Sequence, residues 1–470
     1  RALAPRAAAR RSHPPSPGER RQWPAMGRGA SAIAQRCLWP DGLQEPVVSD
    51  VVDESTGALK EACRAELQEL EARAFAQIRA GRAKASCDES VYVGGPGVAY
   101  LFVKAAALLG EPGLLDEASA LLSPWERRVT RDAITDPGLG CSLMCGKAGW
   151  LCVEALRAHF AGDAAAAGKA ASEYTRLAQV ARSSTLDCDE WLYGRAGYLH
   201  GCLVLRRVLG EAAVPRAALT SVASVMLSNG RTYASRRGCQ SPLLWQWYNE
   251  EYLGAAHGVF GIIHMLLHDD IGLEGADREL LARTLDWLVS RQTEHGNWPT
   301  VRGEGEDHLV HFCHGAPGAV LALCKAHAVL GGSRYLEAAL AAGECVWRYG
   351  LLRKGPGLCH GVAGNGYALL ALFNATGDAR WLARAHRFAT LMFREDVAQA
   401  SRKPDHPFSL YEGIAGSVCF LLDLRICPQM AAFPLFELGG LGPGLAAAPR
   451  EAARAAEQAE DPGPKRGRQG

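Results

Sequence analysis

Cysteine followed by histidine and glycine occurs twice in this chain, as Phe312-Cys313-His314-Gly315 and as Leu358-Cys359-His360-Gly361. Thiols and imidazoles are the preferred donors for zinc, and a reactive zinc site uses three protein donors and leaves a fourth position open. One Cys-His pair is ordinary packing. Two in the same context point to one shared ion. His257 stands in a related context, Ala255-Ala256-His257-Gly258, and Cys145 directly precedes Gly146. The residues alone leave Cys313, His314, Cys359 and His360 as equal ligand candidates. They leave His257, His311 and His314 as candidates for moving a proton beside the ion.

A repeated element must position these residues. Gly-x-x-Gly opens an apolar run seven times, with first glycines at Gly94, Gly146, Gly194, Gly258, Gly315, Gly361 and Gly413. These lie 52, 48, 64, 57, 46 and 52 residues apart, and a recurring long period is the mark of a repeat architecture. After Gly364 the run from Tyr367 to Phe373 is almost wholly apolar, as in a helix buried on all sides. Thr376-Gly377-Asp378 breaks it, with Asp378 as N-cap of the next helix. From Ala379 to Phe393, Trp381, Leu382, Ala385, Phe388 and Ala389 fall at helical spacing. The pattern predicts a buried inner helix, a short turn and an amphipathic outer helix in each of seven repeats. Such a chain closes into an all-α, single-domain α/α toroid. The inner-helix N-termini then share one mouth, where their free N–H groups favour anions and thiolates. The residues just before each Gly-x-x-Gly carry the chemistry.

Composition sets the outer limits. With 51 Lys+Arg against 50 Asp+Glu among 470 residues, the chain lacks the basic excess of a nucleic-acid binder. No run of 18 apolar residues indicates a transmembrane helix. The fifteen cysteines are odd in number and several fall in apolar helical runs, so we expect reduced thiols and a cytoplasmic protein. Residues 1–48 are expected to be disordered, residues 49–438 to form the toroid, and residues 439–470 to be a disordered tail. Met26-Gly27-Arg28-Gly29-Ala30-Ser31 fits the N-myristoylation pattern. If translation starts at Met26, acylation of Gly27 would give a weak, peripheral hold on membranes.

From about Val51 to Leu438 the sequence resembles the lanthionine synthetase C-like family, in its eukaryotic branch. The resemblance is carried by Leu192-Tyr193-Gly194-Arg195-Ala196-Gly197, by Glu251-Tyr252-Leu253-Gly254-Ala255-Ala256-His257-Gly258 and by His311-Phe312-Cys313-His314-Gly315. It continues through Cys359-His360-Gly361-Val362-Ala363-Gly364-Asn365 and Pro407-Phe408-Ser409-Leu410-Tyr411-Glu412-Gly413. It implies a double ring of seven inner and seven outer helices and one zinc ion held by Cys313, Cys359 and His360, with His314 outside the ligand set. It implies addition of the glutathione thiol to dehydroalanine or dehydrobutyrine residues of proteins and peptides, forming thioethers. His257 matches the family's proton donor, and Lys354 and Arg402 resemble its glutathione contacts. Two departures concern turnover more than metal binding. Glu190 stands where bacterial cyclases have Asp, and Phe312 stands where relatives commonly have Trp. The alternative is a non-catalytic scaffold that binds zinc and glutathione and serves signalling. A prenyltransferase-type toroid calls for an Asp among the zinc ligands, and a glycosidase toroid for paired carboxylates at the mouth. Neither pattern stands out.

Overall fold

The reason the glycines recur is visible where each inner helix begins. The first glycine of every pair is the helix N-cap, from Gly94 through Gly413. The second lies under the loop that precedes its own helix. A Cβ on Gly364 would stand 1.9 Å from the Leu358 carbonyl oxygen, and one on Gly318 would stand 2.2 Å from that of Phe312. Only a hydrogen fits there. The close approach clamps the preceding loop to the helix N-terminus, and those two loops carry Cys359 and Cys313.

The computed structural model describes residues 32–39, 43–81, 84, 88–305 and 307–441. Fourteen of its helices form two concentric rings. The inner ones are α2 (Gly95–Leu109), α4 (Lys147–Phe160), α6 (Arg195–Leu209), α8 (Val259–Leu266), α10 (Ala316–Leu330), α12 (Val362–Thr376) and α14 (Ile414–Ile426). Each packs on the next, and α14 packs back on α2, so the ring is closed. The outer ones are α1 (Glu61–Ala80), α3 (Gly113–Leu122), α5 (Ala164–Arg176), α7 (Arg216–Arg236), α9 (Gly275–Val289), α11 (Ser333–Tyr349) and α13 (Ala379–Leu391). The all-α toroid of seven plus seven helices is borne out, and Asp378 caps α13 through a 2.9 Å bond from the Arg380 N–H. The seventh pair departs from the expected order. Among the described residues no outer helix follows α14, which is covered by α1, the first long helix described.

A belt of hydrogen bonds runs around the mouth, through the residue two places before each first glycine. Tyr92 N–H donates to Met144 O (3.0 Å), Leu192 to Ala256 (3.3 Å) and Ala256 to Cys313 (3.4 Å). Cys313 donates to Cys359 (3.1 Å), Cys359 to Tyr411 (2.9 Å) and Tyr411 back to Tyr92 (3.1 Å). The remaining gap is bridged by the Ser142 hydroxyl, which donates to Leu192 O at 2.8 Å. All seven repeats are thereby held in register at one end.

The limits of the ordered body differ from those expected. Residues 32–39 pack on the toroid instead of being disordered. Leu38 N–H donates to Leu351 O (2.8 Å), Arg353 N–H donates to Arg36 O (3.1 Å), and Cys37 is buried. Glu45 pairs with the buried Arg384 of α13. These contacts join residues more than 300 positions apart, so local composition does not reveal them. At the other end Gly440 belongs to the body, its carbonyl accepting from Lys104 at 2.6 Å. The segment before it fills the interior of the ring. Phe433 and Phe436 pack on Phe312, at 4.1 and 4.9 Å between ring centroids. Trp191 donates to Leu435 O at 3.2 Å. Residues 1–31, including Gly27, and 442–470 lie outside the described residues.

Candidate metal centre and its surroundings

Cys313 and Cys359 are neighbouring members of the belt, and His314 and His360 follow them directly. The Sγ atoms of Cys313 and Cys359 and a ring nitrogen of His360 all lie within 4.8 Å of one another, the one such group among the described residues. Donors that share a tetrahedral zinc ion at ~2.0–2.3 Å stand about 3.3–3.8 Å apart, so a closure of about 1–1.5 Å at most lets these three hold an ion. Both cysteines are buried. Without a cation that is an unfavourable place for a thiolate: a hydrogen bond with the Cys313 thiol, together with burial, pushes Cys359 well above the usual thiol range. A divalent ion reverses this, because a coordinated thiol is deprotonated outright. The donor set fits zinc.

His314 does not join the group. Its Nδ1 is buried without a partner, and burial, then the neighbouring His257 and His360, lowers its pKa to about 3. His311 places Nδ1 4.0 Å from Cys313 Sγ and is also held neutral, first by burial and then by His360.

His257 is oriented from two sides. Its Nδ1 lies 2.9 Å from Glu190 Oε2, and Trp247 stacks flat on its ring, 4.1 Å between centroids with 1° between planes. Glu190 is itself fixed by the backbone N–H groups of Leu192 (2.8 Å) and Tyr193 (2.5 Å), and the Cys188 thiol donates to it at 3.3 Å. A carboxylate so placed accepts from Nδ1–H and leaves Nε2 as the exchangeable end of the imidazole. Glu190 thus reaches the histidine despite its extra methylene over aspartate.

The cationic candidates lie within electrostatic reach of the cysteines. Burial lowers the Lys354 pKa, the charge of Arg402 adds to this, and Cys313 and Cys359 oppose it. Lys354 therefore feels both Arg402 and the two thiols. Arg402 is tied in by its backbone N–H, 2.6 Å from Arg353 O, and its guanidinium faces Asp405 at 3.3 Å. A third cation, Arg36, acts electrostatically on both Lys354 and His311. Sequence reasoning misses it because it lies in a stretch whose composition reads as disorder. It also misses Trp247, whose signal is the aromatic run Trp245-Gln246-Trp247-Tyr248.

Residues 86–438 match the family model described as lanthionine synthetase C-like protein. Over 352 residues the chain is 35% identical to glutathione S-transferase LANCL1 of Danio rerio, which covers 74% of this chain and 84% of that protein. Among solved structures, nisin cyclase shares the fold, with a TM-score of 0.55 and 14% identity over 77% of this chain and 94% of that one. With the closed double ring and the glycine repeats already described, these matches leave one assignment. The chain belongs to the lanthionine synthetase C-like family.

Proposed function

We propose that the protein is a zinc-dependent glutathione transferase that adds the glutathione thiol to dehydroalanine or dehydrobutyrine residues of proteins, forming thioethers. One observation carries the reading: two thiols and an imidazole converge at a mouth that also holds a carboxylate-oriented histidine, with Lys354 in electrostatic reach of the thiols. The 35% identity to a protein named a glutathione S-transferase supports the choice of thiol. Zinc bound by Cys313, Cys359 and His360 would favour the thiolate form of an incoming thiol near neutral pH.

The chain's own residues account for the rest. Lys354, Arg402 and Arg36 would hold the carboxylates of glutathione through charge-assisted hydrogen bonds. Sulfur bonds to Cβ of the alkene, the π pair shifts onto the neighbouring carbonyl, and Cα then takes up one proton. His257 is suited to deliver that proton from Nε2, because Glu190 engages Nδ1. The thiol gives up one proton and Cα gains one, so no net acid is consumed. The test is to incubate the zinc-loaded protein with glutathione and a dehydroalanine peptide and to look for a thioether adduct by mass spectrometry. Glutathione binding without adduct formation would make the protein a scaffold and overturn the reading.

A further inference from the structure

Beside His257 the mouth carries a short hairpin to which no role has yet been given. Trp247 and Glu250 exchange both backbone hydrogen bonds, at 2.9 and 3.0 Å, closing a two-residue turn at Tyr248 and Asn249. Their φ angles are +49° and +64°. Such a turn normally takes Asn-Gly or Asp-Gly, because both central residues occupy the left-handed region, and for a bulky residue that region is strained. Strain of this kind persists where the surroundings impose it, and it clusters at functional sites. The side chain concerned is also exposed. Tyr248 is 49% exposed, one of three large apolar side chains so exposed among the described residues. It meets Trp247 edge-on at 4.5 Å, and Trp247 is the ring stacked on His257. The backbone conformation gains nothing from a tyrosine at this position.

We propose that the hairpin Trp247–Glu250 is the subsite for the polypeptide chain that carries the electrophile, with Tyr248 packing on residues beside the dehydroamino acid. The proposal rests on the transferase reading above. Its occupant follows from the chemistry of the groups that surround the mouth. Arg36, Lys354 and Arg402 suit the anionic thiol. The hairpin has no cation; it presents two aromatic rings, an amide and the Glu250 carboxylate. Tyrosine and tryptophan give broad contact at low entropic cost, and asparagine gives adaptable hydrogen bonding, the combination that recognises varied polypeptide surfaces. An alkene placed beside His257 would lead its flanking residues past Trp247 onto Tyr248.

The test compares Tyr248→Gly, Tyr248→Ala and Tyr248→Phe on two electrophiles, a dehydroalanine-containing peptide and a blocked dehydroalanine monomer with no flanking residues. Glycine relieves the backbone strain, so a folding defect cannot explain a loss in a Tyr248→Gly protein whose melting temperature is unchanged or raised. We expect the ratio of kcat/KM for peptide to that for monomer to fall about tenfold or more in the Gly and Ala variants, mainly through peptide KM. That is the scale of losing an aromatic anchor. Tyr248→Phe should restore most of the ratio. An equal fall for peptide and monomer, or no fall for either, overturns the proposal. A second readout needs no turnover: binding of the same peptide with alanine in place of dehydroalanine, followed by tryptophan fluorescence. It should weaken in Tyr248→Gly, and equal binding overturns the subsite. Wild-type protein that forms no thioether but binds this peptide through Tyr248 would sink the transferase reading and leave the subsite standing.

Discussion

A thiol buried beside a second thiol holds its proton until a cation displaces it, so metal content should turn on Cys359. Cys359→Ala should strip zinc from the purified protein, whereas His314→Ala should retain it, as measured by metal analysis. Equal loss from both would place His314 among the ligands and overturn the assignment of two ligands to the second motif. His257→Asn should keep its zinc and slow thioether formation by about 10²-fold or more, the usual cost of losing a general acid. Unchanged turnover would assign the proton to His311, His314 or water. The two Cys-His-Gly motifs are plain in the sequence. The choice between His314 and His360 is not, because both occupy the same position of the repeat and only the folded chain brings one of them, His360, to the two thiols. Arg36 is hidden for a different reason, since bonds from its segment to Leu351 and Arg353, more than 300 positions away, tie it to the toroid.

At the scale of single elements, one substitution should have opposite signs in the two rings. Gly364 begins an inner helix under a carbonyl oxygen, 1.9 Å from where a Cβ would sit. Gly364→Ala should destabilise by roughly 1–3 kcal/mol or more, because the obstacle is backbone and cannot rotate away. Gly168 lies on the exposed face of α5, with nothing within 4 Å of its missing Cβ. Gly168→Ala should stabilise by about 0.5–1 kcal/mol through helix propensity and a less flexible unfolded chain. Denaturant midpoints would decide both; a stable Gly364→Ala protein would show that the loop carrying Cys359 is not clamped as described. The helices themselves were legible because glycine spacing and apolar runs are local signals. The exchange of partners in the last pair was not, since nothing near α14 reports that its cover comes from α1.

Across the whole molecule, the ring interior holds ionisable groups that only closure can bury. Lys104 of α2 and Asp423 of α14 pair at 2.7 Å with almost no exposure. Lys104→Met should cost about 3–5 kcal/mol by leaving the carboxylate unpaired, and Lys104→Met with Asp423→Leu should recover most of it. Additive losses in a double-mutant cycle would refute the coupling. His200 is wholly buried with neither ring nitrogen partnered, and burial drives its pKa from 6.5 down to about 3. Below pH 6.5 the unfolded chain takes up a proton that the folded one refuses. Stability should therefore fall as pH drops from 6.5 toward 3, by up to about 1.4 kcal/mol per pH unit from this residue. His200→Leu should flatten that slope in urea titrations at several pH values. An unchanged slope would mean that His200 ionises in place. Seven repeats could be counted in the sequence, but a salt bridge joining positions 104 and 423 across the seam could not be.

That seam also imposes a timetable. The cover of α14 is made first and used last: 353 residues separate Glu61 from Ile414, and ribosomes add about 5–20 residues per second. Phe75 can meet Phe102 of α2 early, but α1 otherwise waits roughly 20–70 s for α14, at the stage when nascent chains are most prone to stick to one another. A ring whose first and last segments must meet cannot mature domain by domain as it leaves the ribosome. Part of the apolar stripe on α1 therefore stays without its final cover until the last helix arrives.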